Sequence, residues 1–208
     1  MTDLADLKVR MDALNTVRPF RYRDTTRAEA EAHMAHLAKV SGCSDTEIES
    51  AERALRVRLP LSFRQYLSAM GHKPGALFVG SDLARMHELS DYRRTALEIM
   101  AESAQVPLPD DAVVFLMHQG YSFDFVIADG GEDAPVWRYT EGQPAPTRYA
   151  DSFAEHLESE FQMIELANKE TLELGGYFLS VKNGYEQRYY PALASGVRPI
   201  DTDDIFLD

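Results

Sequence analysis

Three apolar, β-rich runs stand close together in the second half of the chain, at residues 112–118, 121–128 and 135–139. The segments that separate them are short and each contains glycine. Connections of this length join neighbouring antiparallel strands, because a parallel crossover needs about a dozen residues or more. The spacing therefore predicts an antiparallel meander.

Helical periodicity dominates the first half of the chain. Apolar residues recur there at spacings of three and four, which place them on one face of a helix. This pattern predicts helices at 2–16, 27–40, 45–59, 61–70 and 90–103, and a further helix from Ser152 onward. Helices first, then a sheet, predict the α+β class, with N-terminal helices, an antiparallel β-sheet meander with a helix packed on it, and a C-terminal hairpin extension.

Local signals mark several element ends. Ser44 and Ser152 each stand three residues before a glutamate, so each predicts a capping box at a helix start. Pro60 predicts that the preceding helix stops there, and Gly71 is predicted to adopt a left-handed conformation after the next helix. Residues 76–79 are predicted to be a short strand, and residues 177–182 and 185–190 to be a hairpin around Asn183-Gly184.

Charge restricts the classes of partner. The chain has 34 acidic and 21 basic residues, a formal net charge of −13. Such a field disfavours nucleic acid and anionic membranes and favours association with a basic protein, although the acidity alone also serves solubility.

Composition also indicates the compartment. The acidic N-terminal start predicts no secretory signal, and no apolar stretch has the length of a membrane span. Cys43, the single cysteine, excludes an internal disulfide, so we expect the cytoplasm.

The sequence contains no recognisable catalytic or metal-binding motif. Phosphate-binding glycine loops and a G-x-S-x-G elbow are absent, and no histidine stands near Cys43 in the sequence. Four groups of histidines or acidic residues are better explained as parts of a helix surface, a solvated turn or a solvated tail. A zinc or calcium site would need further ligands at fixed spacing. The four groups are His33 and His36, Asp110-Asp111, Glu132-Asp133, and Asp201, Asp203 and Asp204. We therefore expect no cofactor, no metal and no catalytic residue.

A capped helix, a Leu-Pro step and an aromatic-bearing helix ending at glycine follow one another within residues 44–71. This order resembles the SUKH superfamily. The strand at 135–139 and the helix from Ser152 resemble the second half of the family, although Met70-Gly71 stands where members often have Asn-Gly. The positions that match the first pattern are Ile48, Glu52, Leu55, Leu59, Pro60, Phe63, Leu67 and Gly71.

The resemblance divides the chain into parts. Residues 1–25 become a helical lead-in, residues 26–168 a SUKH-like α+β domain with an insertion at 81–111, and residues 169–208 an extension with the hairpin and an acidic tail.

The resemblance implies an immunity protein that binds and neutralises a cognate toxin domain without a cofactor. Nuclease toxins are common targets of the family and are often basic, which suits the charge of −13. A second branch of the family consists of regulators of fungal cell-wall synthesis, so a regulatory or scaffolding module is the alternative. An enzyme with a scattered site is a third hypothesis, and the oligomeric state stays open.

Partner contacts are expected on loops and on the insertion, where side chains vary while a rigid sheet holds them. For any single acidic residue among the candidates, the simpler hypothesis is that its carboxylate only solvates a turn. Phe63, Trp137 and Phe153 are expected to be buried, with an exposed partner anchor as the alternative for Trp137. The candidate partner-binding residues are Asp82, Glu88, Asp91, Glu132, Asp133 and Glu141, with Tyr92 and Tyr121 as aromatic anchors.

Overall fold

The computed structural model describes residues 4–16, 20–22, 39–75, 77–78, 81–173, 177–182 and 186–191. It confirms the α+β class. The chain divides into two compact units, the first formed by residues 1–11 and 39–162 and the second by residues 12–38 and 163–208. The predicted helix at 27–40 falls almost wholly outside the described residues, as do His33, His36, the turn at Asn183-Gly184 and the acidic tail.

The described elements are named in chain order. The helices are α1 (Leu4–Thr16), α2 (Asp45–Leu55), α3 (Leu61–Met70), α4 (Leu89–Met100) and α5 (Phe153–Glu173), and a short 3₁₀ helix spans Met86–Glu88. The strands are β1 (Phe20–Tyr22), β2 (Val40–Ser41), β3 (Lys73–Pro74), β4 (Asp82–Leu83), β5 (Ala112–His118), β6 (Ser122–Ile127), β7 (Val136–Thr140), β8 (Thr147–Ala150), β9 (Tyr177–Lys182) and β10 (Glu186–Pro191).

The main sheet of the first unit is the predicted meander. Its strands lie in the order β4-β5-β6-β7-β8, and each pairs antiparallel with its neighbours. β5 has the predicted bounds, and β6 and β7 differ from the predicted runs by one residue at each end. The sequence reasoning missed β4 and β8, which stand at the two edges of the sheet.

Helices cover both faces of this sheet. On one face, Ala96 and Met100 of α4 join Phe123, Phe125 and other buried residues in an apolar cluster. On the opposite face, Phe115 of β5 meets Phe63 of α3 and Phe153 of α5, with ring centroids 5.9 Å and 5.3 Å away. Alternation along the strands explains this division, because successive side chains point to opposite faces.

The aromatic residues expected in the core follow this division. Phe63 and Phe153 are fully buried, as predicted. Trp137 is only partly buried, and its indole packs against the α4 cluster. The predicted stripe of α1 is confirmed for Leu7 and Met11, which are also fully buried.

The predicted capping box of α2 is confirmed. Ser44 Oγ accepts the backbone N–H of Glu47, and Glu47 Oε2 accepts the backbone N–H of Ser44 at 2.8 Å. At the start of α5, Ser152 Oγ accepts the backbone N–H of Glu155 at 3.1 Å.

The predicted end of α2 at Pro60 is wrong. The helix ends at Leu55, and Arg56 adopts the left-handed conformation with φ of 58°. The N–H of Arg56 bonds to the carbonyl of Arg53, and the N–H of Val57 bonds to that of Glu52, which is the Schellman pattern. These bonds close the helix one turn before the proline, although the left-handed position carries arginine instead of glycine.

Replacing Arg56 by glycine is expected to raise the free energy of unfolding by about 1 kcal/mol, because glycine adopts a positive φ without steric strain. Chemical denaturation followed by the fluorescence of the single tryptophan, Trp137, measures the change. Arg56→Ala is the matched control, since alanine keeps the strain. Equal effects of the two substitutions would contradict this reading of the helix end.

The prediction of a left-handed Gly71 is also wrong. Its φ of −66° and ψ of −16° continue the helical region. Glycine is needed here for space: a β-carbon would lie 2.6 Å from the carbonyl oxygen of Leu67 and 2.7 Å from Sγ of Cys43. Gly71 is therefore explained by the close approach between the end of α3 and the segment before α2, and not by a helix cap.

The predicted strand at 76–79 is wrong where the structure describes it. Leu77 and Phe78 lie in a turn, and Phe78 has a positive φ of 55°. Both side chains are buried. Their apolar character thus reflects burial of a turn and not strand pairing.

The second unit contains a three-stranded sheet in the order β1-β9-β10. β9 and β10 pair antiparallel, which confirms the predicted hairpin. β1 pairs parallel with β9 and lies between the predicted helices at 2–16 and 27–40, where no strand was predicted.

Candidate protein-binding surface

The meander gives the main sheet two distinct ends. The turn end carries the β5–β6 connection at residues 119–121 and the β7–β8 connection at residues 141–146. The loop end carries the β6–β7 connection at residues 128–135. The candidate partner-binding residues are divided between these ends.

Three candidates lie together at the turn end. Asp82 is exposed on β4 and pairs with Met117 near the end of β5. Tyr121 is 41% exposed in the β5–β6 connection, and its carbonyl oxygen accepts the backbone N–H of Glu141 at 2.8 Å. Segments that are distant in sequence thus bring two acidic residues and one exposed aromatic ring to the same end of the sheet.

Tyr92 and Glu88 extend this group on the α4 side. Burial, together with the nearby carboxylates of Glu88 and Asp82, raises the pKa of the Tyr92 phenol to about 12. Tyr92 also packs against the core, so its ring is only partly available to a partner. Asp91 is exposed and forms an ion pair with Arg94 at 2.8 Å.

The other two candidates, Glu132 and Asp133, lie at the loop end. Glu132 has an exposed side chain, and its backbone carbonyl accepts the N–H of Ser62 at 3.0 Å. Gly131 accepts the N–H of Leu61 in the same way at 2.9 Å. The loop therefore satisfies the first amides of α3, where Pro60 offers no capping side chain.

The Asp133 carboxylate is a structural junction. Its Oδ1 accepts the hydroxyl of Ser62 at 2.6 Å and the backbone N–H groups of Ala134 at 2.8 Å and Phe153 at 3.2 Å. Its Oδ2 accepts the hydroxyl of Ser152. These bonds tie the starts of α3 and α5 to the loop before β7, so they occupy the carboxylate within the protein.

A polar pocket of about 390 Å³ opens at the turn end. Its polar side chains alternate along β6 and β7 with the residues that face α4, so the pocket lies on the opposite face of the sheet. The residues that line it are Ser81, Leu116, His118, Tyr121, Ser122, Phe123, Asp124, Arg138 and Thr140.

An ion pair between a buried carboxylate and a partly exposed guanidinium forms one side of this pocket. Asp124 is 1% exposed, and its two oxygens accept Nε and Nη2 of Arg138 at 2.6 Å and 2.7 Å. The guanidinium lies 3.5 Å from the ring centroid of Tyr149. The hydrogen bonds that Arg138 donates to Asp124, together with the charge of this carboxylate, raise the pKa of Arg138. Bidentate pairing of this kind fixes both side chains and makes the pair a rigid part of the site.

Two α5 residues adjoin the pair. His156 is 5% exposed, sits edge-to-face with Tyr149 at 5.4 Å, and has a buried Nε2 without a hydrogen-bond partner. Burial lowers its pKa. Burial raises the pKa of Glu160, which interacts electrostatically with Arg138 and Asp124.

The sequence reasoning did not single out Asp124, Arg138 or His156. One signal was present: a carboxylate in the middle of an apolar strand is rarely buried without a partner. An arginine on the next strand of a meander offers that partner, and Asp124 and Arg138 do stand opposite each other in register.

Acid is expected to destabilise the protein through His156. The pKa of the folded imidazole lies below its ordinary value of 6.5, so the unfolded chain takes up the proton first as the pH falls. Stability should therefore decline from about pH 6.5 down to the folded pKa. The negative charge of Asp124 raises the pKa of His156 and the positive charge of Arg138 lowers it, but burial has the larger effect.

His156→Phe keeps an aromatic ring among Phe78, Phe115 and Tyr149 and removes the titrating group. Melting temperatures between pH 7 and 5 should fall less steeply in this variant. Parallel slopes in both proteins would contradict the assignment to His156.

Burial, with a smaller contribution from Glu47, raises the pKa of the Cys43 thiol to about 11, so the thiol is a poor nucleophile at neutral pH.

Within the described part of the chain, no group of three or more metal-ligating side chains has the geometry for a metal ion. No helix in that part is long and apolar enough to span a membrane.

A family model described as SMI1 / KNR4 family (SUKH-1) matches residues 42–159, more than half of the 208-residue chain. The matched segment includes α2, α3, α4 and every strand of the main sheet. A search of curated proteins found no match.

Proposed function

The chain belongs to the SMI1 / KNR4 family (SUKH-1), and on this basis we propose that it binds and neutralises a cognate toxin domain by protein–protein contact in the cytoplasm. Family membership supports a toxin-immunity or related regulatory role, and family members are generally not enzymes. The high pKa of Cys43 agrees with a role that needs no nucleophile.

The turn end is the surface that we assign to the partner. Tyr121 and Glu141 lie there near a pocket with a rigid ion pair in its wall, and Asp82 stands at the same end of the sheet on the face that α4 covers. An exposed aromatic ring among polar groups is typical of an energetic centre of an interface. The overall charge of −13 supports a basic partner through faster electrostatic encounter.

Co-expression with a toxin domain that the chain is proposed to neutralise tests the proposal in cells. The wild-type chain should restore growth of a host that produces the toxin domain. The double substitution Asp82→Lys and Glu141→Lys should abolish rescue, because it reverses the charge of the turn end. Two exposed acidic residues at the loop end give the matched control, Glu49→Lys with Glu132→Lys, which should still rescue; Glu49 lines a pocket there with Ala128 and Asp129.

Absence of rescue by a folded, expressed wild-type chain would contradict toxin neutralisation. Binding without rescue would favour the alternative, a regulatory or scaffolding module of the same fold. Equal loss of rescue in both double variants would show that net charge matters and the turn end does not.

A further inference from the structure

The turn-end pocket has the volume for a partner side chain. Its 390 Å³ equal roughly a dozen water molecules at about 30 Å³ each. Leu116 and the ring of Tyr121 supply apolar surface, whereas Ser122, Thr140 and His118 supply polar groups. An occupant with a long apolar stem and a polar head matches this division.

The hydroxyl groups of the pocket offer acceptors. Ser122 Oγ donates its hydrogen to the carbonyl oxygen of Tyr139 at 2.9 Å. Thr140 Oγ1 lies 3.2 Å from Ser122 Oγ and must therefore supply the hydrogen between them. With both hydrogens committed, the two oxygens present lone pairs to an occupant that carries N–H donors.

The charge balance of the pocket also favours a cation. Asp124 and Arg138 neutralise each other through their bidentate bonds. Glu141 adds an exposed carboxylate directly after Thr140. Among these groups carboxyls outnumber guanidinium groups, which makes the surroundings of the pocket complementary to positive charge.

The rim carries a ring suited to a cation. Tyr121 packs edge-to-face on His118, with centroids 5.7 Å apart, and His118 Nδ1 lies 2.8 Å from Ser81 Oγ. These contacts hold a ring that is 41% exposed at the pocket mouth. A guanidinium or ammonium group that enters over an aromatic ring gains a cation–π interaction.

We infer that this pocket binds a lysine or arginine side chain presented by the partner protein. The inference rests on the proposed function for the identity of the partner, but the pocket itself can be tested without a toxin. The stem of the side chain lies against Leu116 and Tyr121, and its head lies near Ser122 and Thr140.

The probe is Nα-acetylarginine methyl ester, titrated into the full chain and followed by amide chemical shifts. Shifts should be confined to residues around Tyr121, Ser122 and Thr140, with a dissociation constant on the order of a millimolar for so small a ligand. The neutral isostere Nα-acetylcitrulline methyl ester should bind at least tenfold more weakly.

Substitutions locate the site. Thr140→Lys places a resident ammonium group in the pocket and should abolish the shifts. Thr95→Lys, the same change at an exposed position of α4 on the other side of the sheet, should leave them intact. Tyr121→Ala should weaken binding several-fold and provides the test if Thr140→Lys does not fold. Equal binding of the citrulline ester, or unchanged shifts in Thr140→Lys and Tyr121→Ala, would overturn the inference. Failure of toxin neutralisation with intact arginine binding would overturn only the proposed function.

Discussion

Replacing Phe153 by alanine is expected to lower the free energy of unfolding by about 3–5 kcal/mol. The side chain is fully buried, and its ring contacts those of Phe63, Tyr66 and Phe115 at centroid distances of 4.9 Å, 5.7 Å and 5.3 Å. Truncation leaves a cavity where α3, α5 and the main sheet meet. Such a core cannot collapse fully, because its other rings are held by separate elements.

Chemical denaturation followed by Trp137 fluorescence measures this loss. Phe153→Leu is the graded control, since it retains most of the volume and should cost clearly less than alanine. A loss below about 1 kcal/mol for Phe153→Ala would mean that α5 is not packed on the sheet as described.

Replacing Asp133 by alanine is expected to cost about 3–4 kcal/mol, since a hydrogen bond to a charged group contributes about 1.5–3 kcal/mol and several are lost together. The hydroxyls of Ser62 and Ser152 and the backbone N–H of Ala134 would lose their acceptor. The melting temperature should fall by roughly 10 °C for a chain of this size.

The neighbouring Glu132 gives the matched control. Its side chain is exposed, so Glu132→Ala should change stability by less than about 0.5 kcal/mol. If Asp133→Ala were as mild as Glu132→Ala, the loop would not depend on this carboxylate. Asp133 would then return as a candidate partner contact.

Local signals in the sequence were sufficient for the parts of the fold that depend on short connections. Strands β5 to β7 follow from apolar runs with brief glycine-bearing turns, and the Ser44 box follows from one capping pattern. Strand β8 was missed because the residues Thr147–Ala150 are mostly exposed and carry no apolar alternation. An edge strand of this kind exists only because β7 pairs with it.

Tertiary context decided the positions where local signals were misleading. Gly71 is required by the proximity of Cys43, and Phe78 is apolar because its turn is buried. Neither fact is visible in the neighbouring sequence. Arg56 likewise occupies a left-handed position without the glycine that usually marks it.

The candidate site was likewise predictable from the sequence only in part. Exposed acidic and aromatic residues at predicted turns were identifiable one by one, including Asp82, Tyr121 and Glu141. Their proximity depends on the pairing of β4 with β5 and on the bond between two connections. The pocket behind them depends on the register that sets Asp124 opposite Arg138, which composition and spacing do not specify.

An inhibition titration tests the proposed function most directly. A purified toxin domain that the chain is proposed to neutralise is assayed for its own activity while the chain is added. We predict that activity falls to background at a fixed stoichiometric ratio and that the Asp82→Lys and Glu141→Lys double variant needs a large excess. Persistent toxin activity at saturating, folded chain would contradict neutralisation by binding, and inactivation by far less than stoichiometric amounts would indicate an enzyme.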